Sequence, residues 1–132
     1  MRAFLNRQLA KGVVAAVTLL TTVGTAWGAD YLPLIGRWQR TDGGYVIEII
    51  RVATDGAMEA AYFNPRPINV SRARASVFKE HLKVEVELRD TGYPGSTYTL
   101  LYDPYRDSLL GLYYQAFQRQ NYEVIFVRMN EQ

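Results

Sequence analysis

The chain has 132 residues, a length that suits one domain with a modest core and is too short for two. It contains no cysteine, which excludes a disulfide framework, thiol catalysis, a cysteine-ligated metal and an acylated N-terminal cysteine. Its formal net charge of +2 includes Arg2, Arg7 and Lys11; without these three, twelve basic residues stand against thirteen acidic ones, and the resulting charge of −1 argues against a nucleic-acid-binding protein.

Residues 1–28 have the pattern of a cleavable signal peptide. The positive start is followed by a mostly apolar run at 13–23 and by the small residues that a signal peptidase needs at 24–29. We predict cleavage after Gly28, with Ala26 and Ala29 as alternatives. A retained anchor helix is less favoured, because the apolar run is shorter than the roughly 18–20 residues that span a bilayer. The sequence therefore predicts a periplasmic or secreted protein with one folded domain at 29–132 and no membrane span after cleavage.

The region from Gly36 onward has the pattern of an all-β domain. Short runs rich in β-branched and aromatic residues alternate with turn-forming residues such as Asp55-Gly56. In 82–89, apolar and charged residues alternate strictly, as expected for a strand with one buried and one wet face. We predict eight antiparallel strands in an up-and-down meander, at 36–40, 44–52, 57–63, 69–78, 81–89, 96–102, 108–116 and 121–129. Closing such a meander into a barrel removes its exposed edges.

An outer-membrane barrel is an alternative, since eight strands and ten tyrosines also occur in such proteins. Transmembrane strands need about 9–11 residues and an apolar band turned outward. The predicted strands at 57–63 and 96–102 are shorter than this, and the loops are brief. A barrel outside the membrane is therefore favoured.

A G-x-W motif, Gly36-Arg37-Trp38, lies on the first predicted strand, and Arg128 lies near the end of the last one. Together with the meander, these residues resemble the calycins, the group of small barrels that includes lipocalins and avidins. The similarity to the avidin and streptavidin side extends from 36–38 through 43–44, 46–47 and 55–56 to Tyr62. It implies a calycin-like barrel in which Arg128 packs across Trp38 and closes one end.

The biotin site of the avidin family is not carried over. Tyr62 stands at the position of the tyrosine that meets the biotin ureido oxygen, but Arg40 replaces the family's asparagine and Gly44 its serine. That family also lines its pocket with several tryptophans, whereas Trp38 is the one tryptophan after residue 28. The resemblance therefore does not imply a biotin-binding protein.

Tyrosine is the outstanding feature of the composition, and all ten tyrosines follow residue 28. Tyrosines inside a barrel suit a small apolar or cyclic ligand, although they also fill strands and rims without any ligand. Arg40 shares a strand face with Trp38 and, if buried, needs an acidic partner, either Glu48 or a group on a ligand. The candidate ligand-binding residues are Arg40 and the mid-strand tyrosines Tyr62, Tyr98, Tyr102 and Tyr113.

No catalytic motif is visible, so the sequence predicts a protein that is not an enzyme and has no cofactor. His81 is the single histidine, and Asp103 with Asp107 lacks the spacing of a calcium loop, so no metal site is predicted. The first hypothesis is a non-enzymatic exported barrel that binds a small ligand in a tyrosine-lined interior. The alternative is a protein-interaction module with a filled barrel, such as a protease inhibitor or an envelope assembly partner. An enzyme using the same cavity is third. The loops at 64–67 and 93–98 are candidates for an entrance or a partner surface.

Overall fold

The structure, a computed structural model, describes residues 29–130. After a 3-10 helical turn at Leu32–Leu34, these residues form nine strands: β1 Gly36–Arg40, β2 Val46–Val52, β3 Met58–Phe63, β4 Pro67–Ile68, β5 Val70–Phe78, β6 His81–Asp90, β7 Tyr93–Asp103, β8 Ser108–Gln115 and β9 Gln120–Arg128. In this part of the chain no helix is long and apolar enough to cross a membrane. The predicted signal peptide at 1–28 lies outside the described residues.

The nine strands form one antiparallel sheet with the order β4-β3-β2-β1-β9-β8-β7-β6-β5. Hairpins connect most neighbours, and the last strand returns to pair with the first, with Trp38 opposite Arg128. The predicted all-β, up-and-down antiparallel architecture is confirmed, but the predicted count of eight strands is wrong. The additional strand is β4, which turns back after β3 and pairs Ile68 with Tyr62. A two-residue strand that contains proline has no periodicity from which it could be predicted.

The barrel is nearly closed, and its seam lies between β3 and β5. The two strands are linked by a bridge between Ala57 and Arg74 and by a hydrogen bond of 2.8 Å from the Ala75 amide to the Gly56 carbonyl. Gly56 has a φ of +91°, and a Cβ at this position would lie 2.0 Å from the Ala75 carbonyl oxygen. Only glycine therefore fits where the seam is joined.

Inward-facing side chains fill the barrel. On β6, Val84, Val86 and Leu88 are buried, while the charged residues between them lie on the outer face, as the alternation at 82–89 predicts. On β9, Val124 and Phe126 are buried, but the outer residues of that strand include apolar ones that remain exposed. The largest fully buried side chains are Trp38, Tyr62, Tyr98 and Phe126.

The two ends of the barrel carry different groups of residues. The connections β1–β2, β3–β4, β6–β7 and β8–β9 lie at the end where β1 finishes with Arg40, which we call the mouth. The 3-10 turn and the connections β2–β3, β5–β6 and β7–β8 lie at the opposite end, which we call the base. The residues singled out from the sequence divide between these two ends.

Candidate functional site

The base is capped by Arg128, which lies over Trp38. The guanidinium carbon of Arg128 is 4.2 Å from the centroid of the Trp38 ring. Trp38 is fully buried, and its indole N–H donates a hydrogen bond of 2.9 Å to the Leu34 carbonyl. The 3-10 turn, the first strand and the last strand therefore meet at these two side chains.

Asp107 holds Arg128 in place. Nε and Nη2 of Arg128 donate to the two carboxylate oxygens at 2.7 and 3.0 Å, and the Tyr102 hydroxyl donates to the same carboxylate at 3.0 Å. The hydrogen bond from Arg128 lowers the pKa of Asp107 below its ordinary value. Tyr102, a sequence-based candidate for ligand binding, is thus part of the base. The sequence alone gives Asp107 no role, because its place in a turn hides its pairing with a residue near the end of the chain.

Arg40 lies at the mouth, with only 9% of its surface exposed. Its Nε and Nη2 donate to the two carboxylate oxygens of Asp42, both at 2.7 Å, and its Nη1 donates to the Tyr98 hydroxyl at 2.9 Å. Burial opposes the charged form of Arg40, but these hydrogen bonds outweigh it and raise the pKa of the guanidinium. The guanidinium of Arg40 therefore stays charged, and its charge is compensated by Asp42 within the protein.

The acidic partner of Arg40 differs from the sequence-based expectation. Glu48 does not contact Arg40; its carboxylate lies 3.8 Å from Arg37. Glu48 stands opposite Arg37 in the β1–β2 register, and Arg37 and Arg40 lie on different faces of β1. The partner is instead Asp42, in the turn two residues after Arg40.

A pair of hydrogen-bonded tyrosines lies beneath Arg40. The hydroxyl oxygens of Tyr62 and Tyr98 are 2.8 Å apart, and both side chains are at most 1% exposed. The Tyr98 ring stacks on Tyr113 with the centroids 4.5 Å apart, and it meets Phe126 edge-on at 5.2 Å. Every buried side-chain nitrogen and oxygen in 29–130 has a hydrogen-bond partner within the protein. Protein groups therefore already satisfy the polar atoms of the interior.

Three residues that the sequence did not single out as ligand-binding candidates surround this group. Tyr45 lies under the Arg40 guanidinium, 4.1 Å from ring centroid to carbon. Tyr93 meets the Tyr62 ring edge-on at 6.2 Å, and its hydroxyl accepts a hydrogen bond of 2.5 Å from the Asn64 amide. Asn64 and Tyr93 belong to the two loops that the sequence analysis noted as a possible entrance or partner surface. One feature of the sequence could have identified Tyr45 as a neighbour of Arg40: it closes the tight hairpin that follows Arg40.

The mouth therefore brings together Arg40, Tyr62, Tyr98 and Tyr113, while Tyr102 lies with Trp38 and Arg128 at the base. Two pockets lie on the barrel: one is at the base, near Arg37, Arg128 and Met129, and the other is over β6 and β7, where Tyr98 is one of its lining residues. Neither is lined by Tyr62 or Tyr113. Within 29–130, no group of three or more acidic or histidine side chains could hold a metal ion.

Alkaline titration tests the buried tyrosine pair. Burial raises the pKa of Tyr98 from 10.0 to about 12 and raises the pKa of Tyr62 as well. The unfolded chain releases these protons near pH 10, whereas the folded barrel retains them, so this contribution to stability is complete below pH 10 and is lost as pH rises towards 12. We expect the free energy of unfolding to fall across that window, as measured by urea denaturation followed by circular dichroism. Tyr62→Phe should flatten the fall and Tyr105→Phe should not; equal slopes would contradict the assignment.

Comparison with protein-family models, with curated proteins and with solved structures gives no significant match to this chain.

Proposed function

We propose that this protein is an exported, non-enzymatic interaction module: a calycin-like barrel with a filled interior that binds another protein at its mouth. The observation that carries the proposal is the chain of hydrogen bonds from Tyr62 through Tyr98 and Arg40 to Asp42. It joins the hydroxyl groups of the two buried tyrosines to each other and to an arginine whose charge is already compensated by Asp42. A small molecule entering the barrel would have to break these bonds and displace stacked rings.

The rim of the mouth supplies groups that suit a protein partner. Phe117, in the β8–β9 turn, is 79% exposed, and Tyr122, near the start of β9, is 40% exposed. Arg66 is exposed in the β3–β4 connection, and Tyr45 and Tyr93 are half-buried. Aromatic residues and arginine are enriched in protein interfaces and carry much of their binding energy. The accessible side chains at the mouth are therefore of the residue types that are enriched in protein interfaces.

The calycin-like and exported parts of the proposal have separate support. The G-x-W strand pairs with the last strand, and Arg128 lies over Trp38, as in the resemblance drawn from the sequence. Export is supported by the charged, apolar and small-residue segments of 1–28.

A second candidate function is binding of a small apolar or cyclic ligand among the tyrosines. The convergence of Arg40, Tyr62, Tyr98 and Tyr113 at one end favours it, since such groups can orient a ligand that has an apolar ring and a polar edge. This function requires Arg40 to release Asp42, or the Tyr98 and Tyr113 rings to separate.

A matched pair of turn variants tests the proposal. The protein is expressed as the full chain, purified, immobilised and incubated with an envelope extract of its source cells. Phe117→Ala removes an exposed ring at the mouth, and Tyr105→Ala removes a 97% exposed ring from the β7–β8 turn at the base. We expect quantitative mass spectrometry to find a protein that binds the wild type and Tyr105→Ala equally. The amount of this protein bound by Phe117→Ala should be lower by about tenfold or more.

Two outcomes would contradict the proposal. One is a captured protein that is lost with Tyr105→Ala and retained with Phe117→Ala, which would place the contact at the base. The other is a small molecule in native mass spectra of the wild type that disappears in Arg40→Met or Tyr98→Phe. That second result would support the small-ligand function instead, because both substitutions alter the interior hydrogen bonds and leave Phe117 in place.

A further inference from the structure

The outer surface of the barrel has one charged side and one apolar side. On β5 and β6, the outer positions carry Arg72, Arg74, Lys83, Glu85, Glu87 and Arg89. Beside the charged side, β7, β8 and β9 present a set of aliphatic side chains, with two carboxylates at its margins, Glu123 on β9 and Asp103 at the end of β7. This set, which we call the apolar face, consists of Leu101, Leu110, Leu112, Ile125 and Val127.

Strand pairing makes the apolar face continuous. Leu110 lies opposite Leu101 on one side and opposite Ile125 on the other, which gives an unbroken row across three strands. Leu112 and Val127 extend this row in the two directions along the strands. Leu112, Ile125 and Val127 are 46%, 45% and 42% exposed. Contiguous apolar surface of this kind on a folded domain marks an interaction site.

The backbone of this side is already paired, so a partner cannot add a strand here. β8 pairs along its whole length with both β7 and β9. A partner must therefore present its own apolar side chains across the face, in the manner of two packed sheets. A second copy of this chain has such a surface, and a two-fold symmetric contact uses the same patch on both subunits.

We propose that the apolar face binds a second copy of this chain and forms a symmetric dimer. Charge complementarity supports this occupant. Along β9, Glu123 precedes Ile125 and Val127, and Arg37 lies beyond Val127, where its carbonyl accepts a hydrogen bond of 2.8 Å from the Met129 amide. In this dimer, the two-fold axis lies in the plane of the interface, runs across the strands and passes between Ile125 and Val127. Ile125 of one copy therefore packs against Val127 of the second copy. The same operation brings Glu123 to the level of the second copy's Arg37.

Arg37 is able to make this contact. Its side chain is 54% exposed, and its nearest carboxylate oxygen, on Glu48, is 3.8 Å away, longer than a charge-assisted hydrogen bond. The two carboxylates at the margins of the face do not oppose each other in this arrangement: Glu123 comes to the level of the second copy's Arg37, and Asp103 is paired with Arg106 of its own copy at 3.1 Å. The contact is therefore complementary in charge.

The size of the face sets the expected strength. Standard interfaces bury about 800 Å² on each partner. Five aliphatic side chains, of which the most exposed is 46% accessible, supply less than this. We therefore expect a dimer that dissociates in about the micromolar range.

Sedimentation velocity of the purified full chain from about 1 to 200 μM tests this inference. The wild type should change from monomer to dimer over this range. Val127→Glu places a charge in the centre of the contact and should lower the dimer fraction at least tenfold. Phe78→Glu is the control, since it also replaces an apolar side chain with glutamate, at a residue that is 47% exposed on the outer face of β5, on the charged side of the barrel. It should leave dimerisation unchanged.

The charged pair gives an independent arm. Glu123→Arg and Arg37→Glu should each weaken the dimer, and the two together should restore it. Circular dichroism confirms that every variant is folded. A wild type that stays monomeric at all concentrations would overturn the inference. A dimer that survives Val127→Glu and is lost with Phe78→Glu would also overturn it, by placing the contact on the charged side.

Discussion

Replacing Trp38 with alanine is expected to lower the free energy of unfolding by about 3–5 kcal/mol. Trp38 is fully buried, donates to the Leu34 carbonyl, lies under the Arg128 guanidinium and meets the Tyr102 ring edge-on. Its removal leaves a cavity at the base and takes away the aromatic face on which Arg128 rests. Because small domains are stable by only about 5–15 kcal/mol, the variant should unfold at much lower denaturant concentrations. Urea denaturation followed by circular dichroism measures the change.

A double-mutant cycle separates the contact with Arg128 from the loss of volume. Trp38→Phe keeps a ring at this position, and Arg128→Met keeps a long side chain without charge. If the guanidinium interacts with the indole ring, the two substitutions should be coupled by about 0.5–2 kcal/mol. Additive effects would mean that Arg128 stabilises the base through its hydrogen bonds to Asp107 and to the Pro33 and Ile35 carbonyls, and not through the indole ring.

The base and the mouth differ in how far the sequence could predict them. Strand alternation and a first strand paired with the last are enough to place Arg128 near Trp38, since both residues lie within regular strands. Their partner Asp107 lies in a turn, where no periodicity indicates its direction. Arg40 illustrates the same limit. Its inward face follows from its position two residues after Trp38, but its partner Asp42 belongs to the turn.

Tyr98 and Tyr102 show why a correct face does not give a correct site. Both residues stand on one face of β7, and from the sequence they are equivalent. Four residues of strand span about 13 Å, so the two side chains reach opposite ends of the barrel. Tyr98 bonds to Arg40 at the mouth, and Tyr102 bonds to Asp107 at the base. The sequence gives this separation, but which residues of the other strands and turns lie at each level depends on register between strands, which a single sequence does not provide.

The start of β7 shows how tertiary pairing alters a local signal. Residues 93–95 precede the predicted strand at 96–102 and are predicted to lie in a loop, yet the structure extends β7 back to Tyr93. Pro94 lies opposite Arg89, next to an irregularity in the pairing between Glu87 and Arg89. Proline is tolerated at such bulges, where the regular ladder of hydrogen bonds is already interrupted.

Gly56→Ala is expected to destabilise the protein by about 2–4 kcal/mol through the seam of the barrel. The substitution meets two obstacles at once: a φ of +91°, and the Ala75 carbonyl oxygen 2.0 Å from the new Cβ. That oxygen belongs to backbone, so the clash is relieved only if β5 moves away from β3. Such movement also breaks the hydrogen bond from the Ala75 amide to the Gly56 carbonyl. We therefore expect faster hydrogen exchange at the Ala75 amide in addition to the loss of stability measured by urea denaturation.

Gly92→Ala separates backbone strain from the opening of the seam. Gly92 has a φ of +84°, close to that of Gly56, but no atom lies within 4 Å of its added Cβ. It should therefore cost only the strain of the left-handed conformation, about 1 kcal/mol, and leave exchange at Ala75 unchanged. The difference between the two variants is then the contribution of the contact between β3 and β5. If both variants lose the same stability, the seam makes no measurable contribution to the free energy of unfolding. The barrel is then held only by the continuous strand pairing that leads from β3 through β1 and β9 to β5.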